Sequence, residues 1–182
     1  GMKMGGGPKQ FGVDVEQVPA VLAEMRERGL QFEGFHLFAG SQNLKPESIC
    51  EAQQKSYELA LRLAAQCPQP IRFLNLGGGF GIPYFPGEQR VDLAPLGANL
   101  AALQERARRE MPEAELVIEL GRYLVGEAGV YVTRVVDKKV SRGHTYLVCD
   151  GGLNHHLSAS GNFGQVIRKN YPATVGNRQG QA

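Results

Sequence analysis

No apolar run in this 182-residue sequence approaches the ~20 residues needed to cross a bilayer. The opening stretch "GMKMGGGPKQFG" lacks the hydrophobic segment of a secretory signal. Together these exclude a membrane span and an export signal in this stretch. Cysteine is scarce: Cys50, Cys67 and Cys149 are odd in number, far apart and without CxxC spacing. That argues against a disulfide frame and a zinc site, and for reduced thiols in the cytoplasm. An excess of one charge is also lacking. Lys plus Arg total 20 against 18 Asp plus Glu, a net charge of +2, so no basic field points to nucleic acid. Hydrophobic residues make up 42% and charged residues 21%, the balance of a globular chain.

Glycine is what the sequence has in quantity. There are 24, clustered at 5–7, at 77–79 with Gly81, and at 151–152. Clusters at element ends suggest sites lined by backbone, whereas even scatter would suggest low complexity. The middle cluster interrupts a strand-like stretch, "RFLNLGGGFGIPYF". Two readings stay open for it: a tight turn between strand and helix, or a place where something approaches the backbone closely.

Periodicity predicts the elements. Val18, Val21, Leu22 and Met25 follow helical spacing, so a helix is expected over roughly 15–28, with Gly29 ending it. "QFEGFHLF" (31–38) reads as a strand. Pro46 suits the first turn of a helix that carries Ile49, Ala52, Leu59, Ala60 and Leu63 on one face and stops before Pro68. "IRFLNL" (71–76) is the next strand. Asp92 is expected to cap a helix bearing Leu93, Leu96, Leu100 and Leu103, and "ELVIEL" (115–120) is a third strand. The alternation β-α-β-α-β implies parallel pairing with right-handed crossovers. After Arg122 the texture changes. "VYVTRVV" and "HTYLVCD", with "DKKVSRG" between them, read as an antiparallel hairpin whose Lys138, Lys139 and Arg142 sit in a solvated turn. The expected division is therefore 1–126, part of a (β/α) barrel, and 127–182, the start of a β-domain. Three βα units do not close a barrel, and a two-strand region does not bury its own face. The sequence is therefore expected to be part of a longer protein.

In parallel α/β architecture, chemistry gathers at the carboxyl ends of strands. Here those ends offer Ser41 and Gln42, then Gly77-Gly78-Gly79, then Glu119 followed by Gly121-Arg122. Bare amides beside a hydroxyl and a guanidinium suit a phosphate. No Gly-Lys-Ser/Thr follows the glycines, and GxGxxG is absent, so neither a Walker loop nor a dinucleotide fingerprint is present. Glu119 repels an anion and must face another part of the ligand; a protonated ring nitrogen would satisfy it. A phosphate at one end and a basic ring nitrogen at the other describe pyridoxal 5′-phosphate. The competing reading has Glu119 as a surface carboxylate or as a partner of Arg122.

In that order, "GFHLFAGSQNL", "LNLGGGFGIPY" and "ELGR", followed by "CDGGLNHHL", resemble the fold-type III pyridoxal phosphate-dependent decarboxylases. These include the diaminopimelate, ornithine and arginine decarboxylases, built on an alanine racemase-like (β/α)8 barrel. Within them, the exosortase-associated pyridoxal-dependent subgroup is the nearest in texture. The resemblance implies a TIM-type barrel leading into a β-domain, a homodimer, and decarboxylation of a small-molecule amino acid. It places Ser41 and the amides of Gly77, Gly78 and Gly79 on the cofactor phosphate. Gly121 and Arg122 would close that cup, with Arg122 also near the substrate carboxylate, and Glu119 would sit on the ring nitrogen as the catalytic carboxylate. Residues 150–154 would lie where the chain enters the β-domain.

The sequence departs from the family pattern in places. Phe38 stands where the family usually has a histidine stacked on the ring; a phenyl ring stacks but does not titrate. His36, two residues earlier, shares its face and reads as an interior histidine with a hydrogen-bond partner. Leu120 replaces the usual proline. The cofactor-bonding lysine of the family lies upstream of the matching segment, and Lys3 and Lys9 do not occupy its place, so this stretch alone is expected to be inactive. No metal set is expected, because adjacent His155 and His156 point apart. A racemase of the same fold, or a non-catalytic protein binding pyridoxal phosphate or phosphate, are the alternatives. Glu119 argues against the racemase, which generally has Arg at the ring nitrogen.

Overall fold

The computed structural model describes residues 2–3, 11–152, 154–155 and 173–177. Helix α1 (Val18–Glu27) follows a single 3-10 turn at Val15–Gln17. It forms because Val18, Leu22 and Met25 share one face: Leu22 is buried, and the other two pack partly against the core. Gly29, at φ 65°, then closes it. Its N–H donates to Arg26 O (3.1 Å), and Leu30 N–H donates to Met25 O (2.9 Å), the Schellman pairing.

Three parallel strands follow, with the sheet order β2 (Gly34–His36), β4 (Phe73–Gly78), β5 (Glu115–Glu119) the same as their order along the chain. Helices α2 (Pro46–Ala64) and α3 (Ala94–Glu110) make the crossovers. Pro46 opens α2 as expected, and Asp92 accepts the Ala94 N–H at 3.0 Å at the start of α3. Leu74 and Leu76 of β4 turn to the helix layer, where they join Leu22, Phe32, Tyr57, Ala60, Leu103 and Ala107. A smaller cluster of Ile49, Phe80, Val91 and Leu96 lies beside it. The opposite face of the sheet carries His36, Asn75 and Val117 in register, and then Glu119.

Two strands differ from expectation. The one expected over 31–38 pairs only across Gly34–His36. Beyond it, Gly40–Ser41 forms a separate short strand, β3, antiparallel to β1 (Met2–Lys3), and Gln42 turns the chain with φ 54°. The strand expected at 71–76 instead runs on through Gly77 to Gly78, with a bulge between Asn75 and Gly78.

The chain divides into two compact units. One ends at Gly126; the other takes Glu127 onward together with Tyr84–Glu88. The short helix α4 (Arg122–Val125) ends the first. The second contains the antiparallel hairpin of β6 (Val135–Ser141) and β7 (His144–Cys149). Its turn lies later than expected. Arg142 (φ 49°) and Gly143 (φ 80°) alone make it, the paired positive φ of a type I′ turn. Lys138 and Lys139 are therefore strand residues, not turn residues; only Arg142 is in the turn. Among the described residues, no helix is long and apolar enough to cross a membrane.

Candidate cofactor site at the carboxyl edge of the sheet

Each glycine of the central run meets a neighbouring strand. A Cβ at Gly77 would stand 2.6 Å from Leu37 O, one at Gly78 1.6 Å from Glu119 O, and one at Gly79 1.9 Å from Gly40 O. Gly77 and Gly79 also hold φ near +71° and +81°, where a side chain is strained. The close approach that the glycines permit is thus, first, that of the protein's own backbone. It draws the ends of β2, β3, β4 and β5 together. Gly77 donates its N–H to Asn75 Oδ1 at 2.9 Å, so that amide is engaged within its own strand. The sequence expectation places an anion on the amides of all three glycines, and at Gly77 that amide already has a partner.

Ser41 lies beside Gly79, whose Cβ position is 3.3 Å from Ser41 Cα. Phe38 lies against Gly77, with its Cα and Cδ2 both 3.2 Å from that glycine's Cβ position, and the residue is 38% exposed. Gly121 precedes α4, and nothing lies within 4 Å of where its Cβ would be, so open space adjoins it. Arg122 Nη1 donates to Gln42 Oε1 at 3.0 Å. The structure therefore brings the Ser41 segment, the glycine run and Arg122 to one sheet edge.

Among the protein's own side chains, Glu119 meets His36. Its Oε2 lies 2.9 Å from His36 Nε2, across the inner face of the sheet. Both side chains are about half exposed (55% and 49%), so the carboxylate faces the barrel interior with an imidazole beside it. His36 is thus the interior histidine with a partner that its alternation predicted.

Gln42 is the residue whose role the sequence did not show. Its side-chain amide donates to Ile82 O (2.5 Å) and accepts from Ile82 N–H (3.3 Å) and from Arg122. The only signal was its place directly after Gly40-Ser41. In the second unit, Asp150 accepts Arg134 N–H (2.8 Å) and the Thr133 hydroxyl (2.9 Å), and these bonds hold its carboxyl below the usual range. His155 Nδ1 accepts Gly152 N–H at 3.3 Å; His156 lies outside the described residues, as does Lys9. Among the described residues, no group of three or more His, Cys, Asp or Glu is placed to hold a metal.

The donor set fits a phosphorylated, cationic ring. Backbone amides, Ser41 and a guanidinium come to one sheet edge, an exposed aromatic ring lies against Gly77, and a carboxylate stands beside His36. Residues 2–126 match the family described as pyridoxal-dependent decarboxylase, pyridoxal binding domain. The L-glutamyl-[BtrI acyl-carrier protein] decarboxylase of Niallia circulans is 38% identical over 173 residues, which cover 94% of this chain and 40% of that protein. A diaminopimelate decarboxylase of Thermoplasma acidophilum is 37% identical over 137 residues, covering 75% and 33%. Among solved structures, diaminopimelate decarboxylase from Helicobacter pylori complexed with L-lysine aligns with a TM-score of 0.70 at 28% identity, over 87% of this chain and 38% of that one. The chain thus spans 40% or less of the length of these relatives. Since the matched family stretch contains every strand end that forms this edge, the chain belongs to the pyridoxal-dependent decarboxylases and carries their pyridoxal-binding domain.

Proposed function

We propose that the protein decarboxylates an amino acid with pyridoxal 5′-phosphate, and that this chain supplies the part that holds the cofactor's phosphate and ring. Ser41, the amides of Gly78 and Gly79, Gly121 and Arg122 take the phosphate. Phe38 would stack on the ring, and Glu119, paired with His36, would hold the ring nitrogen. When bound, the cofactor supplies an electron sink for the pair left as carbon dioxide departs. The protein's task is to keep the ring nitrogen protonated, which a carboxylate does and a guanidinium would not. Arg122 also presents positive charge toward a substrate carboxylate. A second copy of the chain completes the site in the full-length homodimer, which works in the cytoplasm.

The observation that carries this reading is one sheet edge that holds a guanidinium on Gln42, a run of glycines and a carboxylate on His36. A simple phosphate-binding protein has no use for Glu119. The test is performed on full-length protein incubated with pyridoxal 5′-phosphate. Cofactor uptake is read by absorbance and carbon dioxide release from a panel of amino acids is measured. Glu119→Ala is expected to abolish release while the cofactor is still taken up. Unchanged turnover would remove the ring-nitrogen role, and a folded wild-type protein that takes up no cofactor would refute the reading altogether.

A further inference from the structure

We infer that Gln42 is the positioning residue that ties the three strand-end segments of the phosphate cup into one unit. This rests on the phosphate reading above. Gln42 stands at φ 54°, a left-handed conformation that a non-glycine residue adopts at a cost. That conformation reverses the chain after Ser41 and brings the side chain back across the sheet edge. There the amide pairs with the backbone of Ile82, donating to its carbonyl and accepting from its N–H. The same amide oxygen accepts from Arg122 Nη1. The backbone reinforces the grip: Asn43 N–H donates to Gly79 O (2.9 Å) and Gly81 N–H donates to Asn43 O (2.8 Å). Residues 42–43 and 79–82 therefore form a short ladder, and the side chain of Gln42 extends it to the third segment.

The residue type matters. A primary amide offers a donor and an acceptor side by side on one planar, neutral group. A carboxylate would hold Arg122 but would lose the bond to Ile82 O and place negative charge beside the phosphate. Asparagine, one methylene shorter, starts the amide closer to its own backbone and further from Ile82. Without Gln42, Ser41, the glycine run and Arg122 still exist, but the side-chain bonds that hold residues 42, 82 and 122 together are gone, and phosphate binding needs its donors held in place.

The test compares pyridoxal 5′-phosphate with pyridoxal, its phosphate-free form, on full-length protein carrying Gln42→Gly or Gln42→Glu. Glycine keeps the positive φ and removes the amide, so it separates the side chain from backbone strain. Both variants are expected to weaken the phosphorylated form by about tenfold or more, with pyridoxal within about twofold of wild type. If Gln42→Gly binds the phosphorylated form as wild type does, or if both ligands weaken alike, the positioning role is overturned. A wild-type protein with no preference for the phosphorylated form would instead refute the phosphate cup itself.

Discussion

Gly78 and Gly97 show how differently two glycines of one chain respond to a methyl group. At Gly78 the added carbon meets the carbonyl of Glu119 at 1.6 Å, and neither strand can retreat without breaking the β4–β5 pairing. Gly78→Ala is expected to destabilise the protein by roughly 3–5 kcal/mol, read as a loss of soluble protein or a large fall in melting temperature. Gly97 lies within α3 with nothing inside 4 Å of its Cβ position. Gly97→Ala is expected to stabilise by about 0.5–1 kcal/mol in the same measurement, because alanine has less backbone freedom to lose. Glu119 is also a residue-scale case. His36 holds one of its oxygens, so His36→Leu is expected to speed loss of cofactor on dialysis of the full-length protein. His36→Gln, which places an N–H donor close to the position of Nε2, should recover part of the retention. Equal retention in all three proteins would show that Glu119 needs no partner.

At the scale of elements, α2 and α3 are joined by a polar latch set into an apolar seam. Tyr57 is fully buried, and its hydroxyl donates to Glu110 at 2.8 Å; the Arg106 guanidinium lies 4.7 Å from the Tyr57 ring centre and bonds both Glu58 and Glu110. Burial, and then the bond to Glu110, push the Tyr57 hydroxyl up to about 12. The unfolded chain releases that proton near the ordinary value of ~10, so the folded state binds it more tightly. The stabilisation from this group is therefore intact below pH ~10 and is lost as the pH rises towards 12. Urea unfolding is expected to show a fall on the order of 2 kcal/mol across that window, absent in Tyr57→Phe. A variant with the same alkaline fall would place its origin elsewhere. Periodicity found α2 but not its buried polar residues: Gln53, Ser56 and Tyr57 all face the core, while Leu59 is only half-buried. A hydrophobic pattern marks which face turns inward and is silent on polar side chains whose partners come from α3, such as Asn99 donating to Gln53 at 2.8 Å. The hairpin was misplaced for a related reason. "DKK" resembles a turn by charge, but a two-residue turn needs positive φ, which Arg142-Gly143 supplies.

Across the whole molecule, the order of the βα units and the strand ends that meet at one edge were legible in the sequence, because each depends on local spacing. The partners of Glu119 and Gln42 were not, because His36 lies on another strand and Ile82 in the segment beyond β4, 40 residues from Gln42, and only the fold brings them near. Nor was the reason for the glycine run, since the atoms that demand it belong to neighbouring backbones. The same reasoning applies to the hairpin. β6 and β7 alternate so that Leu147 sits opposite Lys138, and Tyr146 opposite Lys139 on the other face. Val136, Val140, Tyr146, Leu147 and Val148 are all exposed, by 47–64%. Two strands with apolar residues on both faces do not bury either face, and such a ribbon alone is marginal in water. β4 is different: it is paired on both edges and covered on one face by α2 and α3. In the 182-residue chain, hydrogen exchange is therefore expected to be slowest at Leu74–Leu76 and near the unprotected rate at Val140 and Leu147. In a full-length protein of its relatives' size, the hairpin amides are expected to become protected as further strands cover those faces. Hairpin amides that exchange slowly in the 182-residue chain would show that the ribbon is self-sufficient and that its apolar residues serve another purpose.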